Sequence, residues 1–314
     1  MPKVLITTSS FNVAAAESLG RLKQAGFEIA TNPHGRKLSE DEVAGLLGDD
    51  VVGMVAGTEP LTRRVLAGAR GLKVVSRCGI GLDSVDLAAA GELGIEVTNT
   101  PDAPSAAVAE LTLGLILDQL RRISQADRQI RAGQWKPLMG GLLAARTVGI
   151  VGYGRIGRRV AKLVQAFGAR VLATDAAGVQ PDGIAEPCAL ERLLAEADVV
   201  TLHMPSQKGA GHFLDAARIG RMKRGAVLVN TARGDLVDEA VLAQAIHDGC
   251  LGGAALDTYE KEPYAGPLVE LPQVVLTAHM GSYAEESRGI MEREAADNLY
   301  KGLAARGLMA GRAA

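Results

Sequence analysis

Thr147-Val148-Gly149-Ile150-Val151-Gly152-Tyr153-Gly154-Arg155-Ile156-Gly157 is the stretch whose reading decides the fold. Five residues of strand character run into Gly-x-Gly-x-x-Gly, and an amphipathic segment, 158–167, follows directly. Gly152 suits the tight bend, Gly154 the close approach of backbone to a pyrophosphate, and Gly157 the packing of helix on strand. The helix start presents unpaired N–H groups and the positive end of its dipole to an anion. A second strand, 169–174, comes next and closes at Asp175. That is where an acidic side chain can bond both ribose hydroxyls of a dinucleotide, about 20 residues after the glycines. Strand, glycines, helix, strand and acid together predict an NAD site, with Gly152, Gly154, Arg155, Ile156, Gly157 and Asp175 around the cofactor.

Working outward, 147–151, 170–174, 199–202, 226–229, 254–256 and 274–276 read as strands. Helices are expected near 157–167, 190–197, 215–221 and 238–248, which together suit a doubly wound parallel sheet. Upstream, the first hundred residues alternate in the same way. Strands are expected at 4–7, 27–30, 51–55, 73–76 and 96–98, and helices at 13–25, 39–47, 61–67 and 84–90. Ser39 is placed to cap its helix. Pro101-Asp102-Ala103-Pro104 resists both helix and central strand and marks a hinge. The longest helical pattern runs from Ser105 to about Arg131; its first half is apolar nearly all round, which fits a core helix or a subunit interface equally. A last helix is expected over Glu285–Ala305.

Composition narrows the function. Of 314 residues, 47% are apolar, so a sizeable core is available, and 3% are aromatic, too few for base-stacking platforms. The net charge of −2 gives no generally basic surface for nucleic acid. Cys78, Cys188 and Cys250 form no C-x-x-C pair and read as reduced thiols. Val4-Leu5-Ile6 is too short for a signal-peptide core, and Leu111 to Leu117 is too short to span a bilayer. A cytoplasmic protein without membrane or nucleic-acid partners is expected. Neither metal-ligand spacing nor a Gly-x-Ser-x-Gly elbow is present.

Polar groups follow successive strands of the second series. Asn230-Thr231-Ala232-Arg233-Gly234, Asp257-Thr258-Tyr259-Glu260-Lys261-Glu262-Pro263 and Thr277-Ala278-His279-Met280-Gly281 each leave a strand end. Arg offers a fixed fork for a carboxylate, and His can move a proton near neutral pH with a carboxylate beside it. Each residue singly also reads as an ordinary surface or hydrogen-bonded group; their convergence beside an NAD site favours chemistry. Between Glu260 and Glu262 the spacing does not choose. His203, ahead of Met204-Pro205, suits either a cofactor-lining or a structural role. In the first series, the loops Ala56-Gly57-Thr58-Glu59-Pro60 and Arg77-Cys78-Gly79-Ile80-Gly81 leave strand ends, the edge where open α/β sheets bind ligands.

With these blocks in order, the chain resembles the D-isomer-specific 2-hydroxyacid dehydrogenase family, and within it the 3-phosphoglycerate-dehydrogenase-like branch. The matching stretches run from Ser76 to Asp86, through Asn99-Thr100-Pro101 and Gly152 to Gly157, to Asn230–Gly234, Asp257–Pro263 and His279. The resemblance implies a catalytic Arg233, Glu262 and His279, and so selects Glu262 over Glu260. It implies cofactor contacts that include His203, Met204, Pro205, Thr231, Ala232, Asp257 and Gly281, and substrate contacts at Gly57, Arg77, Gly79 and Arg233. It further implies a Rossmann cofactor domain over 102–280, a discontinuous flavodoxin-like substrate domain from 1–101 and 281–314, and a homodimer built by the helix from Ser105. The implied reaction is NAD-dependent interconversion of a small D-2-hydroxy acid and its 2-keto acid. Phosphoglycerate dehydrogenases of similar sequence can carry a first-loop Arg for the phosphate; here Ala56 stands there, with Glu59 nearby. Hydroxypyruvate or glyoxylate reduction is therefore an alternative, and an NAD(H)-sensing co-regulator with this fold is a reading of a different class.

Overall fold

The computed structural model describes residues 1–207 and 209–309. They gather into two units, Met1–Pro104 with the stretch from Ser282 onward, and Ser105–Gly281. In the first unit the chain runs β1 Lys3–Ile6, α1 Glu17–Gln24, β2 Glu28–Thr31, α2 Glu40–Leu46, β3 Val51–Ala56, α3 Arg63–Gly68, β4 Val74–Arg77, α4 Leu87–Glu92 and β5 Glu96–Asn99. These strands make a parallel sheet in the order β2-β1-β3-β4-β5. The second unit opens with α5 Ser105–Arg121 and α6 Ile123–Arg131. It continues with β6 Thr147–Val151, α7 Arg155–Ala166, β7 Arg170–Thr174, β8 Glu186–Pro187, α8 Leu190–Glu196 and β9 Val199–Leu202. Then follow α9 Ala216–Ile219, β10 Val227–Asn230, α10 Glu239–His247, β11 Gly253–Leu256 and β12 Val274–Leu276. Its sheet has the order β12-β11-β10-β9-β6-β7-β8, again parallel throughout.

Both orders reverse once. In the second sheet the chain leaves β6 for β7 and β8 on one side, then returns to lay β9 on the other. In the first sheet it leaves β1 for β2 and returns to lay β3 on the opposite side. Each reversal opens a crevice at the strand C-termini, the place where open α/β sheets take ligands.

The last helix, α11 Glu285–Ala305, packs against α1, β3, β4 and β5 of the first unit. Met291, Ala295, Ala296, Leu299 and Leu303 are buried there with Val4, Ile6, Leu19, Leu22 and Val74. Burying a single Leu of this kind contributes about 1.5–3 kcal/mol. A Cβ on Gly53 of β3 would come 2.8 Å from Leu299, so the glycine admits the helix onto the sheet.

Several elements differ from their sequence expectation. The helix expected over 13–25 divides into a 3-10 turn at Val13–Ala15, capped by Asn12, and α1. The helix expected from Ser105 to about Arg131 breaks at Arg122, whose φ of 56° is left-handed. The Asp118 carboxylate there accepts the Ser124 N–H at 2.7 Å and the Ser124 hydroxyl, supplying the cap that starts α6. Helix α5 itself is a core element: Val108, Ala109, Leu115 and Ile116 are buried, and it packs on α7, β10 and β11. The two-residue edge strand β8 had no apolar run to announce it. Helix α7 begins two residues ahead of expectation because Gly154, extended at φ −79° and ψ −154°, serves as its N-cap. Ser39 caps α2 as expected, in a reciprocal box with Glu42.

Candidate active site

The glycine loop leaves β6 at the reversal point of the second sheet. Gly152 has a φ of 93°, and a Cβ there would come 2.6 Å from the carbonyl of His203 at the end of β9. A Cβ on Gly157 would run into the Gly152 carbonyl, so these two glycines are demanded by the protein's own packing. Gly154 differs: a Cβ there would meet no protein atom within 4 Å. That leaves open room at the start of α7, whose first turn has no side-chain cap competing for its N–H groups. Replacing Gly154 by Val is expected to weaken NADH binding at least tenfold, by isothermal titration, with the melting midpoint unchanged. A drop in melting temperature with unaltered binding would overturn that assignment.

Asp175, at the end of β7, accepts the Tyr153 N–H at 2.6 Å and the Ala177 N–H at 2.8 Å, one on each oxygen. It therefore fixes the glycine loop, and a carboxylate with one bond per oxygen keeps acceptor capacity for ribose hydroxyls. His203 lies opposite, with Nε2 3.0 Å from the Thr201 hydroxyl and Nδ1 buried without a partner among the described residues. Burial pushes its imidazole down to about 3, so the ring is neutral. Because the folded value lies below the unfolded one, the unfolded chain binds the extra proton between pH 6.5 and about 3. Stability from this group is complete above pH 6.5 and falls on acidification by about 1.4 kcal/mol per pH unit. The His203→Gln variant is expected to lose that component of the acid slope in urea titrations; an identical slope would show that His203 does not report it. Met204 packs against the core beside it, while Pro205 is exposed.

The loop after β10 is held by Asn230, which is fully buried. Its side chain accepts the Ala232 N–H at 3.0 Å and donates to the Arg233 carbonyl at 2.7 Å. The Thr231 hydroxyl lies 2.9 Å from that of Thr112 on α5. Arg233 is extended, and its Nη1 donates to the Ala232 carbonyl at 2.7 Å. A Cβ at Gly234 would run into the backbone of Tyr259, so this glycine lets the Arg233 loop lie directly on the loop after β11. The Tyr259 hydroxyl, 2.9 Å from the Leu256 carbonyl and 2.8 Å from that of Thr277, ties the loop after β11 to the one after β12.

Glu262 and His279 meet on that frame. Both Glu262 oxygens lie near His279 Nδ1, at 3.0 and 3.1 Å, and Oε1 also takes the Tyr259 N–H at 3.3 Å. Glu260 points elsewhere: its N–H donates to Glu239 and its carboxylate lies 3.5 Å from His212. A carboxylate only accepts, so Nδ1 carries the hydrogen and Nε2 is the nitrogen left to exchange a proton. His279 sits at a φ of 51°, a left-handed conformation unusual for a non-glycine residue. Asp257 holds it there. This buried side chain accepts the Met280 N–H at 2.8 Å, the Gly281 N–H at 2.8 Å and the Thr277 hydroxyl at 2.6 Å. Asn230, Gly234, Tyr259 and the clamping action of Asp257 were not singled out from sequence as supports, because each depends on a loop distant in the chain.

In the first unit, Arg77 ends β4 and its guanidinium lies over Gly79, where a Cβ would run into it. The Gly79 N–H donates to the Thr100 hydroxyl at 2.8 Å. The Gly57 N–H donates to Glu59. The amides of Gly57 and Gly79, two residues expected on the substrate side, are thus engaged within their own unit. Among the described residues, no helix is long and apolar enough to cross a membrane.

A doubly wound sheet with a glycine loop at its reversal point, and an Arg and a Glu–His pair on neighbouring strand ends, defines a nicotinamide-dependent oxidoreductase architecture. Residues 113–281 match the model of the D-isomer specific 2-hydroxyacid dehydrogenase, NAD binding domain. The chain belongs to the D-isomer specific 2-hydroxyacid dehydrogenase family, and its cofactor is NAD. It is 38% identical over 299 residues to D-3-phosphoglycerate dehydrogenase of Methanocaldococcus jannaschii, covering 92% of this chain and 55% of that one. The chain thus spans about half the length of that relative. It is 35% identical over 272 residues to hydroxypyruvate reductase of Thermotoga maritima, covering 85% of this chain and 89% of the other. Among solved structures, a glyoxylate reductase from Paecilomyes thermophila superposes with a TM-score of 0.86 at 29% identity, covering 98% of this chain and 96% of that one.

Proposed function

We propose that this chain is an NAD-dependent D-2-hydroxyacid dehydrogenase that interconverts a small D-2-hydroxy acid and its 2-keto acid. The observation that carries the reading is the Glu262–His279 pair, 3.0 Å apart, standing on loops that Gly234 and Tyr259 lock to the Arg233 loop. Arg233 anchors the substrate carboxylate and polarises the keto oxygen. His279, oriented through Nδ1 by Glu262, gives a proton from Nε2 to that oxygen during reduction and takes it back during oxidation. NAD, when bound, supplies hydride-transfer chemistry at the adjacent carbon. Gly152, Gly154, Arg155, Ile156 and Gly157 hold the pyrophosphate end, Asp175 the ribose, and His203, Met204, Pro205, Thr231, Ala232, Asp257 and Gly281 line the rest of the cofactor. Gly57, Arg77 and Gly79 belong to the substrate side.

In this reading residues 102–280 are the cofactor domain, and residues 1–101 with 281–314 the substrate domain. The protein acts in the cytoplasm without nucleic-acid or membrane partners. It is a homodimer through the region that begins at the Ser105 helix; in the segment after α6, Trp135, Met139 and Leu142 are all exposed apolar groups that such a contact would cover. The Asp175 carboxylate repels a 2′-phosphate, so NADH is expected to outperform NADPH. The test is steady-state kinetics of the purified protein with each cofactor against glyoxylate, hydroxypyruvate and 3-phosphohydroxypyruvate. Tight NADH binding without turnover of any acid would favour a binding role and sink the dehydrogenase reading.

A further inference from the structure

The reversal point of the first sheet, between the C-terminal ends of β1 and β3, is filled by a carboxylate. Glu59 is 1% exposed. Its two oxygens accept the Gly57 N–H at 3.0 and 3.1 Å, and Oε1 is also bonded to the Thr7 hydroxyl at the end of β1. A Cβ on Gly57 would stand 2.8 Å from Oε2, so the glycine is fitted to the carboxylate beside it. A buried carboxylate is costly unless bonded, and here the bonds come from the loop it sits in and from the neighbouring strand. The crevice where a ligand is expected thus carries a fixed negative charge of the protein's own.

Arg77 from β4 and Arg288 from α11 act on the buried Cys78 thiol, and so do Glu59 and Glu292. Arg288 pairs with Glu292 Oε1 at 3.0 Å and donates to the Ser10 carbonyl at 2.9 Å and hydroxyl at 3.2 Å. Glu292 also accepts the Asn12 N–H at 2.9 Å. Arg288 is thus already paired with Glu292, and the buried Glu59 adds a further carboxylate at this edge, against which a phosphate bearing about −1.5 to −2 would have to be placed.

We propose that Glu59 is a specificity-determining residue: it restricts the substrate to 2-keto and 2-hydroxy acids whose remote end is uncharged, such as hydroxymethyl or hydrogen, and disfavours phosphorylated or dicarboxylic acids. This rests on the dehydrogenase reading above and names its substrate class. The residue acts by a like-charge penalty on the second anion, and salt screens a charge shielded from water far less than one at the surface.

The Glu59→Gln variant tests it on the full chain. Gln keeps the shape: its oxygen accepts the Gly57 N–H and its amide donates to Thr7, while the charge is gone. In the wild type, kcat/KM for hydroxypyruvate is expected to exceed that for 3-phosphohydroxypyruvate by about 100-fold. In Glu59→Gln the ratio is expected to narrow about tenfold, through a lower KM for the phosphorylated acid. A second measurement needs no variant: 3-phosphoglycerate should inhibit wild-type hydroxypyruvate reduction at least about tenfold more weakly than D-glycerate does. A wild-type preference for the phosphorylated acid, tighter inhibition by 3-phosphoglycerate, or an unmoved ratio in a folded Glu59→Gln would overturn the proposal. Absence of turnover with every acid is a separate result, which removes the dehydrogenase reading itself.

Discussion

Replacing His279 by Gln is expected to lower kcat for 2-keto acid reduction by about 10²–10⁴-fold, the range for loss of a positioned general acid. NADH binding should stay within a factor of two of wild type, because the side chain is 43% exposed and its hydrogen-bond partner among the described residues is Glu262. Glu262→Gln should cost less, since its amide oxygen can still accept from Nδ1 and keep the ring oriented. Stopped-flow measurement of NADH oxidation separates these effects from product release. Wild-type chemistry in His279→Gln would remove the acid–base assignment.

The second large effect falls on Arg233. Its loop is held by Asn230 and by the clearance at Gly234, so the guanidinium fork is offered from a rigid base. Arg233→Gln should reduce kcat/KM on the order of 10³-fold, as for loss of a charged donor aimed at developing negative charge. Lys at this position should recover little, because a point charge cannot reproduce bidentate geometry. Circular dichroism and NADH affinity should match wild type. A variant that turns over normally would show that the carboxylate is held by another group.

Much of this arrangement was legible in the chain because it is local. The strand–glycine–helix–strand–Asp175 run is contiguous in the chain, so its pattern can be read without knowing what packs against it. Arg233 and His279 could be nominated because each directly follows an apolar strand. The choice between Glu260 and Glu262 could not be made from spacing, because it depends on which carboxylate the loop after β12 meets. The break at Arg122 has a similar cause: helix propensity on both sides is good, and the Asp118–Ser124 cap diverts the chain. The burial of Glu59 is not legible in its loop, because it follows from β1 and β3 lying side by side.

The return of α11 to the first sheet has a consequence for biosynthesis. Ser105–Gly281 is continuous and can complete its core once its own last strand has left the ribosome. The first hundred residues, although translated earliest, keep one apolar sheet face only partly covered, by Leu19 and Leu22 of α1, until Met291, Leu299 and Leu303 arrive. The second unit to be made is thus the first able to finish folding, and the oldest part of the nascent chain waits longest with an aggregation-prone surface exposed.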